Sequence, residues 1–252
     1  MSDALLRVTD LRTGYGSMPV LHGLSFEVVR GEMAVVLGTN GVGKTTTLRT
    51  IAGLLPKWSG SIEFEGALIE KKTPEQLVAR GIGVVPGPPG VFRDLSVLDN
   101  LRVGSFALGR DRRRAEQRLA RALEAFPILA ERRDQAAGSL SGGEQRMLAV
   151  ARALMGEPRL LLVDEASIGL SPAMVRSTFA LLDQVRADGV TVLMVEQNVA
   201  ALDVATHAFV MERGRVVREA HGDEVAGMRD ELARAYLGGG EAEPVLAGRM
   251  RR

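Results

Sequence analysis

The sequence predicts an α/β architecture with a largely parallel sheet, an antiparallel edge and an inserted helical lobe. Short apolar runs alternate with helix-like stretches along most of the 252 residues, a pattern typical of a parallel sheet covered by helices. Near the start, alternating apolar stretches at residues 5–11 and 20–29 flank a turn that contains glycine, and they indicate an antiparallel pair. Between residues 86 and 158 the strand-like runs give way to Arg- and Ala-rich segments of helical spacing.

The remaining strands are predicted from short apolar runs that turn signals bound. These runs lie at residues 34–37, 82–85, 160–163 and 190–195. The first run ends at a glycine and leads into a helical stretch at residues 44–55. We therefore expect a single domain over residues 1–240, with its core at 1–86 and 158–240 and the helical lobe at 87–157. A glycine run at residues 238–240 precedes an expected flexible tail at 241–252.

Composition excludes several classes of protein. With 32 Lys and Arg against 31 Asp and Glu, the net charge is +1, so we expect no nucleic acid as a partner. The absence of cysteine excludes disulfides, thiolate zinc sites and a cysteine nucleophile. No apolar run approaches the roughly 20 residues of a spanning helix, and residues 1–9 do not resemble a signal peptide. We expect a cytoplasmic protein.

A phosphate-binding loop is predicted at residues 38–45, which fit G-x-x-x-x-G-K-[ST] between an apolar run and a helical stretch. The pattern arises by chance roughly 0.005 times in a chain of this length and composition. Glycines let backbone N–H groups approach an anion, and the N-terminus of the following helix favours negative charge. We expect Lys44 to reach the β and γ phosphates and the Thr45 hydroxyl to bind Mg²⁺. The candidate residues for binding a nucleoside triphosphate are Gly38, Asn40, Gly41, Gly43, Lys44, Thr45 and Thr46.

A second element is the apolar run at residues 160–163, which ends in Asp164 and Glu165. Adjacent carboxylates at the end of a strand are by themselves most often a solvated turn. Beside a phosphate-binding loop, Asp164 is instead expected to hold Mg²⁺ and Glu165 to polarise an attacking water. The two elements together predict a hydrolase that uses a nucleoside triphosphate and Mg²⁺.

A third element, the signature segment at residues 140–145, reads Leu-Ser-Gly-Gly-Glu-Gln and begins 96 residues after Lys44. The order of the three elements resembles the ATP-binding subunits of ABC transporters over about residues 5–237, with Glu144 at the Gln of their LSGGQ motif. This resemblance implies the ABC ATPase fold on a P-loop NTPase core, and a head-to-tail dimer. It also implies that Tyr15 stacks on adenine. In such a dimer Ser141, Gly142, Gly143 and Glu144 of one subunit contact the γ-phosphate bound to the other.

Finer detail is similar to the second ATPase of branched-chain amino-acid importers. The similar segments are residues 195–198, 169–172 and 235–238. The similarity implies a non-identical second ATPase as partner, with a homodimer still possible. It also implies two transmembrane permease subunits as partners, and a periplasmic solute-binding protein as an indirect partner. The implied location is peripheral, on the inner face of the cell membrane. Importers of urea and short amides remain an alternative, and so does a largely non-hydrolytic ATP-binding subunit. A soluble ABC ATPase acting on ribosomes or DNA is disfavoured, because each motif occurs once.

The sequence departs from the family pattern at three positions. Gln197 replaces the family's switch histidine; it can donate an N–H to the γ-phosphate as a catalytic group, but it does not titrate near neutral pH. Gly87 stands where the family has Gln or Glu, and Ser171 stands at an Asp position. We therefore expect the chain's own ATP site to hydrolyse slowly while its signature segment serves the partner's site.

Overall fold

The structure, a computed structural model, describes residues 4–109 and 111–237. The tail expected at residues 241–252, and Gly238 of the segment at 235–238, lie outside the described residues. Within the described part, two β-sheets and eight α-helices form the predicted α/β architecture. None of these helices combines the length and the apolar character that crossing a membrane requires.

The strands and helices follow the chain in a largely alternating order. The strands are β1 Ala4–Tyr15, β2 Met18–Val29, β3 Met33–Leu37, β4 Ser59–Phe64, β5 Ala67–Leu68, β6 Ile82–Val85, β7 Leu160–Asp164, β8 Thr191–Glu196, β9 His207–Glu212 and β10 Arg215–His221. The α-helices are α1 Lys44–Ile51, α2 Pro74–Ala79, α3 Val97–Gly104, α4 Arg112–Ala125, α5 Pro127–Glu131, α6 Gly142–Leu154, α7 Pro172–Ala187 and α8 Glu224–Leu237. Short 3₁₀ helices lie at Ser105–Leu108, Ala137–Ser139 and Val199–Asp203.

The larger sheet has six strands in the order β10-β9-β3-β8-β7-β6. The strands from β9 to β6 run parallel, and β10 pairs antiparallel with β9. All residues of β3 and β8 are buried, which explains why these strands appear in the sequence as continuous apolar runs. Because parallel strands end at the same edge, the segments that follow β3, β6, β7 and β8 meet there.

The smaller sheet is antiparallel, in the order β2-β1-β4-β5. The predicted pairing of β1 with β2 is present, and the pair joins β4 in a sheet of its own rather than extending the parallel sheet. One apolar cluster contains side chains of both sheets, and the Phe26 and Phe209 ring centroids lie 5.3 Å apart across it. The alternation of apolar and polar residues in the sequence predicted that β1 and β2 each have one buried face. It did not predict what that face packs against.

Helices α3 to α6 follow β6 and precede β7, in the segment where the sequence predicts helices. Leu101 of α3, Leu129 of α5 and Leu148 of α6 belong to the same buried cluster as Val163 of β7. The helices therefore share a continuous core with the parallel sheet. Helix α1 ends at Ile51, earlier than the predicted residue 55, because Gly53 adopts a left-handed backbone with φ of +71° that terminates a helix.

Candidate nucleotide-binding site

The phosphate loop (residues 38–45) connects β3 to α1, as the sequence predicts. Gly41 and Gly43 have φ values of +85° and +110°, a backbone conformation that residues with a side chain rarely adopt. A Cβ atom at Gly43 would also lie 2.7 Å from the Cδ2 atom of Leu21. No side chain caps the N-terminus of α1. The first backbone N–H groups of α1 are therefore oriented for an anion rather than satisfied by a cap.

Lys44 points back into the phosphate loop and is only 3% exposed. Its Nζ atom donates to the carbonyl oxygens of Gly38 at 2.9 Å and Thr39 at 3.0 Å, and it lies 3.3 Å from Glu165 Oε1. A buried ammonium group needs such partners, because the loss of its hydration is costly. The side chain is held where a bound phosphate could replace these acceptors.

Thr45 and Asp164 come together although 119 residues separate them in the chain. The Thr45 hydroxyl donates to Asp164 Oδ1 at 2.9 Å. Burial raises the pKa of Asp164, and the hydrogen bond from Thr45 offsets part of this effect. A hydroxyl and a partly buried carboxylate in contact are two oxygen ligands of the kind that Mg²⁺ prefers. The two residues fit the predicted metal role.

Glu165 follows β7 with an unusual backbone. Its φ is +45°, and its N–H donates to Val195 O in β8 at 3.0 Å. Its own carbonyl accepts from Arg146 Nη2 at 3.3 Å, while Arg146 Nη1 donates to Pro86 O at 2.9 Å. The left-handed turn after β7 is thus fixed from two sides, which directs the Glu165 side chain to Lys44.

Arg146 is a positioning residue that the sequence analysis missed. It lies in α6, is buried, and links the chain after β6 to the chain after β7 through the two hydrogen bonds above. The available signal was an arginine on the otherwise apolar buried face of the helix that follows the signature segment. The role of Arg146 depends on its contacts with the segments that follow β6 and β7. The signature segment by itself does not predict these contacts.

Gln197 lies directly after β8 at the same sheet edge. Together with Glu165, Ser167, Ile168, Glu196 and Asn198 it lines a cleft of about 200 Å³. The buried Glu196 carboxylate accepts from the Ser167 N–H at 2.9 Å and from its hydroxyl at 2.7 Å. These bonds join the segment that carries Glu165 to the segment that carries Gln197. Two of the three predicted catalytic residues, Glu165 and Gln197, therefore line one cleft, and the third, Lys44, contacts Glu165.

Gly87 lies after β6, next to the predicted metal ligand. A Cβ atom placed on it would lie 3.7 Å from Asp164 O and 3.9 Å from Asp164 Oδ2, which is ordinary van der Waals contact. Position 87 thus borders the phosphate-binding edge, and its backbone accommodates a side chain. The glycine is not imposed by lack of space.

Tyr15 lies at the end of β1 with 45% of its surface exposed. Its hydroxyl is 3.5 Å from Thr46 Oγ1 and 3.5 Å from Arg49 Nη1, both in α1. The aromatic side chain therefore lies beside the helix that follows the phosphate loop and offers exposed ring surface there. Arg49 was not identified from the sequence.

The signature segment (residues 140–145) forms the start of α6. Ser141 is the N-cap of α6, and it forms a reciprocal capping box with Glu144. The Ser141 N–H donates to Glu144 Oε2 at 2.8 Å, the Glu144 N–H donates to Ser141 Oγ at 3.4 Å, and Arg132 pairs with Glu144 at 3.2 Å. Gly142 and Gly143 form the first turn. Within residues 4–109 and 111–237, no hydrogen bond joins residues 141–144 to residues 38–46.

Comparison with known proteins identifies the family. The sequence pattern of the ABC transporter family matches residues 21–168. The chain is 41% identical over 236 residues to the high-affinity branched-chain amino acid transport ATP-binding protein BraG of Pseudomonas aeruginosa, covering 93% of this chain and 100% of that protein. It is 36% identical over 240 residues to the lipopolysaccharide export system ATP-binding protein LptB of Escherichia coli, covering 93% and 98%.

Solved structures agree with this assignment. A nucleotide-free ATP-binding cassette from an ABC transporter superposes with a TM-score of 0.82 at 26% identity, covering 97% of this chain and 98% of that one. The ADP conformation of an ATP-binding cassette superposes with a TM-score of 0.80 at 27% identity, covering 94% and 99%. The predicted fold and family resemblance are confirmed. The chain belongs to the ABC transporter family, as a nucleotide-binding ATPase subunit that works with transmembrane permease subunits.

Proposed function

We propose that this chain is the ATP-hydrolysing, energy-coupling subunit of an importer for branched-chain, hydrophobic amino acids. The observation that carries the ATPase role is the convergence of Lys44, Thr45, Asp164 and Glu165 at one sheet edge, with contacts of 2.9 Å and 3.3 Å between the two segments. The 41% identity to the branched-chain amino acid transport protein over the whole of its length supports the solute class.

ATP would bind along the phosphate loop and the start of α1. The backbone N–H groups of Asn40, Gly41 and Gly43 surround the phosphates, while Gly38 and Thr46 flank them. Lys44 exchanges its carbonyl acceptors for phosphate oxygens. Tyr15, half-exposed beside Thr46, offers its ring to the adenine. Because Lys44 also lies 3.3 Å from Glu165, these contacts would direct the γ-phosphate toward Glu165.

Thr45 and Asp164 would hold Mg²⁺, since they present a hydroxyl and a carboxylate oxygen 2.9 Å apart. When bound, the ion neutralises charge on the β and γ phosphates. The Thr45–Asp164 hydrogen bond prepares both side chains for this role by fixing their orientation.

Glu165 would be the general base, accepting a proton from the attacking water. Its ion pair with Lys44 restrains it before ATP arrives, and the phosphates then compete for Lys44. Gln197, in the same cleft, would donate a side-chain N–H to the γ-phosphate. Arg146 positions Glu165 through its backbone carbonyl rather than through contact with substrate.

The signature segment would complete the site of a second subunit. Ser141, Gly142, Gly143 and Glu144 form the N-terminus of α6, and among the described residues no hydrogen bond joins them to the chain's own phosphate loop, which supports a role in trans. The proposed partner is a second, non-identical ABC ATPase, with a homodimer as the alternative. A periplasmic solute-binding protein takes part indirectly, and no nucleic acid is involved.

An apolar cleft supports attachment to permeases at the inner face of the cell membrane. The cleft measures about 270 Å³ and is lined by Phe92, Val103 and Phe106, of which Phe106 is 80% exposed. It lies where the helices that follow β6 meet the parallel sheet. We propose the same division for the domain: core at residues 1–86 and 158–240, helical lobe at 87–157.

Replacing the proposed base tests the enzymatic role. Glu165→Gln keeps the size and polarity of the side chain, and should lower ATP turnover by about 10²- to 10⁴-fold while ATP binding persists. Glu124→Gln, on the exposed surface of α4, is the matched control and should leave turnover unchanged. Turnover of Glu165→Gln within threefold of the wild type would refute the assignment.

Deletion of the chain in its source organism tests the solute. Uptake of radiolabelled leucine should be lost and should return with the wild-type chain but not with Glu165→Gln. Normal leucine uptake with a defect in lipopolysaccharide export would favour the function of the second relative. Normal leucine uptake with lost urea or short-amide uptake would favour the alternative importer class.

A largely non-hydrolytic subunit is the second candidate function, and Gly87 favours it. No side chain at position 87 extends toward Asp164, although the structure has room for one. In that case ATP binding at this site would close the dimer, and the partner's site would supply most of the turnover.

A further inference from the structure

Two of the chain's three histidines come together far from the nucleotide site. His207 begins β9 and His221 ends β10, and the two pair directly across the antiparallel ladder. Glu32 lies just before β3, whose Ala34 is in register with His207. These residues therefore lie where β3 and β9 begin, whereas the phosphate loop follows the end of β3. The described ATP site uses none of them.

The polar atoms of this cluster converge closely. His207 Nδ1 lies 3.2 Å from Glu32 Oε2, and His207 Nε2 lies 2.9 Å from Glu219 Oε1. His221 Nε2 lies 3.1 Å from the same Glu219 oxygen. The two imidazole rings stack with centroids 3.6 Å apart. Three segments of the chain thus contribute two imidazoles and two carboxylates to one place.

Both ring nitrogens of His207 are engaged with carboxylate oxygens. A neutral imidazole carries one N–H, yet each ring nitrogen of His207 faces a carboxylate oxygen. One nitrogen can donate; the other directs a lone pair at an acceptor unless a proton or a metal ion lies between them. His207 is 2% exposed, so water cannot separate the two groups.

The geometry of the cluster suits a metal ion, because Glu32, His207 and His221 present ligand atoms from three segments of the chain close together. A single divalent cation would satisfy both rings and the carboxylate.

We propose that Glu32, His207 and His221 bind one divalent transition-metal ion of the Zn²⁺ class. One ligand atom from each residue lies within 4.8 Å of the other two. Ligand atoms on a tetrahedral zinc ion are about 3.4 Å apart, so small side-chain rotations complete the site. Imidazole ligands favour zinc, copper or nickel over magnesium or calcium.

Glu219 orients the site and keeps it accessible. When one ring nitrogen of His207 binds the ion, the other donates its N–H to a carboxylate, the usual arrangement that fixes a ligating histidine. His221 is 55% exposed and Glu219 is similarly open, so an ion can enter from solvent and a water can fill the fourth position. The bound ion would join β10 to the start of β3 and stabilise the folded chain.

Zinc titration of the full-length, tag-free chain after EDTA treatment tests the site. Calorimetry should give one Zn²⁺ per chain, and zinc should raise the melting temperature. His221→Gln changes a half-exposed ligand and should weaken binding at least about tenfold. His22→Gln changes the remaining histidine, which lies in β2 outside the cluster, and should bind zinc as the wild type does.

Three results would overturn the proposal: no stoichiometric binding, unchanged affinity in His221→Gln, or equal weakening in His22→Gln. Co²⁺ provides a second measurement, because a tetrahedral site containing imidazole gives visible absorption bands that His221→Gln should lose. Glu165→Gln should bind zinc normally. Failure of the metal site would therefore leave the proposed ATPase function untouched, and the reverse also holds.

Discussion

The N-termini of α1 and α6 are built in opposite ways. Gly43 precedes α1 in a left-handed conformation, and no side chain caps the helix. Ser141 precedes α6 in an extended conformation, and its reciprocal bonds with Glu144 satisfy two backbone donors. Both helix starts carry glycines of a segment that is predicted to contact phosphate. No side-chain cap occupies the first N–H groups of α1, whereas at α6 the capping box occupies those of Ser141 and Glu144.

The difference indicates distinct tasks for the two helix starts. Free donors, a buried lysine and adjacent carboxylates give the α1 side the groups that the proposed nucleotide site needs from its own chain. The α6 side carries a carboxylate on its positive end, which neutralises the attraction for an anion. A γ-phosphate presented by another subunit would have to compete with Glu144. The α6 side is therefore a preformed surface, and in the proposed dimer it would contribute to binding when a partner delivers the nucleotide.

Replacing a glycine by alanine at each helix start should distinguish these two tasks. This pair of substitutions gives the largest expected effect. Gly43→Ala forces a side chain to φ of +110° and toward Leu21, at a strain of about 1–3 kcal/mol, so the isolated chain should lose roughly 10- to 100-fold in ATP affinity. At Gly142 the added Cβ would meet Leu170 at 3.4 Å, which is tolerable. Gly142→Ala should keep ATP affinity in the isolated chain, as fluorescent-nucleotide titration can measure. Equal losses in both variants would remove the distinction.

A smaller effect is expected at Gly87, which borders the α1 side. In the assembled dimer, with the partner ATPase's catalytic glutamate changed to Gln, this chain's site should turn over slowly. Gly87→Gln should raise that rate roughly tenfold, because an amide would extend toward Asp164 and the attacking water.

Gly87→Ala is the control for this test, since a methyl group contacts Asp164 without reaching the water. If Gly87→Gln is no faster than Gly87→Ala, the glycine does not limit turnover. If blocking the partner's glutamate leaves most of the ATPase rate intact, this chain's site is not slow.

The smallest expected effect is on stability at α6. Glu144→Gln removes a charge from the helix N-terminus and the ion pair with Arg132, so the free energy of unfolding should fall by about 0.3–1 kcal/mol in urea. The Ser141 N–H lowers the pKa of Glu144 below its ordinary value, with burial opposing and the Ser141 hydroxyl and Arg132 assisting. A lowered pKa stabilises the fold above the unfolded value of about 4.3.

The difference between wild type and Glu144→Gln should therefore be complete at pH 7 and shrink as the pH falls below about 4.3. Glu124→Gln, on exposed α4, should show no such difference. A stability gap that persists at pH 3 would exclude the carboxylate as its source.

Much of the candidate site could be predicted from the sequence because its parts are local. The phosphate loop is eight contiguous residues, and its glycines, lysine and threonine act through the backbone turn that they themselves form. Asp164 and Glu165 were identified because they end an apolar run. Arg146 was missed because its role depends on the carbonyls of Pro86 and Glu165, which only the packing of α6 brings within reach.

By itself, the sequence predicted six of the ten described strands (β1, β2, β3, β6, β7 and β8), the helices between β6 and β7, the phosphate loop and the carboxylates after β7, since periodicity and turn chemistry act over a few residues. The tertiary structure decided the strand order, and with it the separate sheet of β1, β2, β4 and β5. It also placed Thr45 against Asp164 and brought Glu32 to His207 across 175 residues. Such pairings depend on which strand ends share a sheet edge, a consequence of long-range register and burial that local periodicity does not contain.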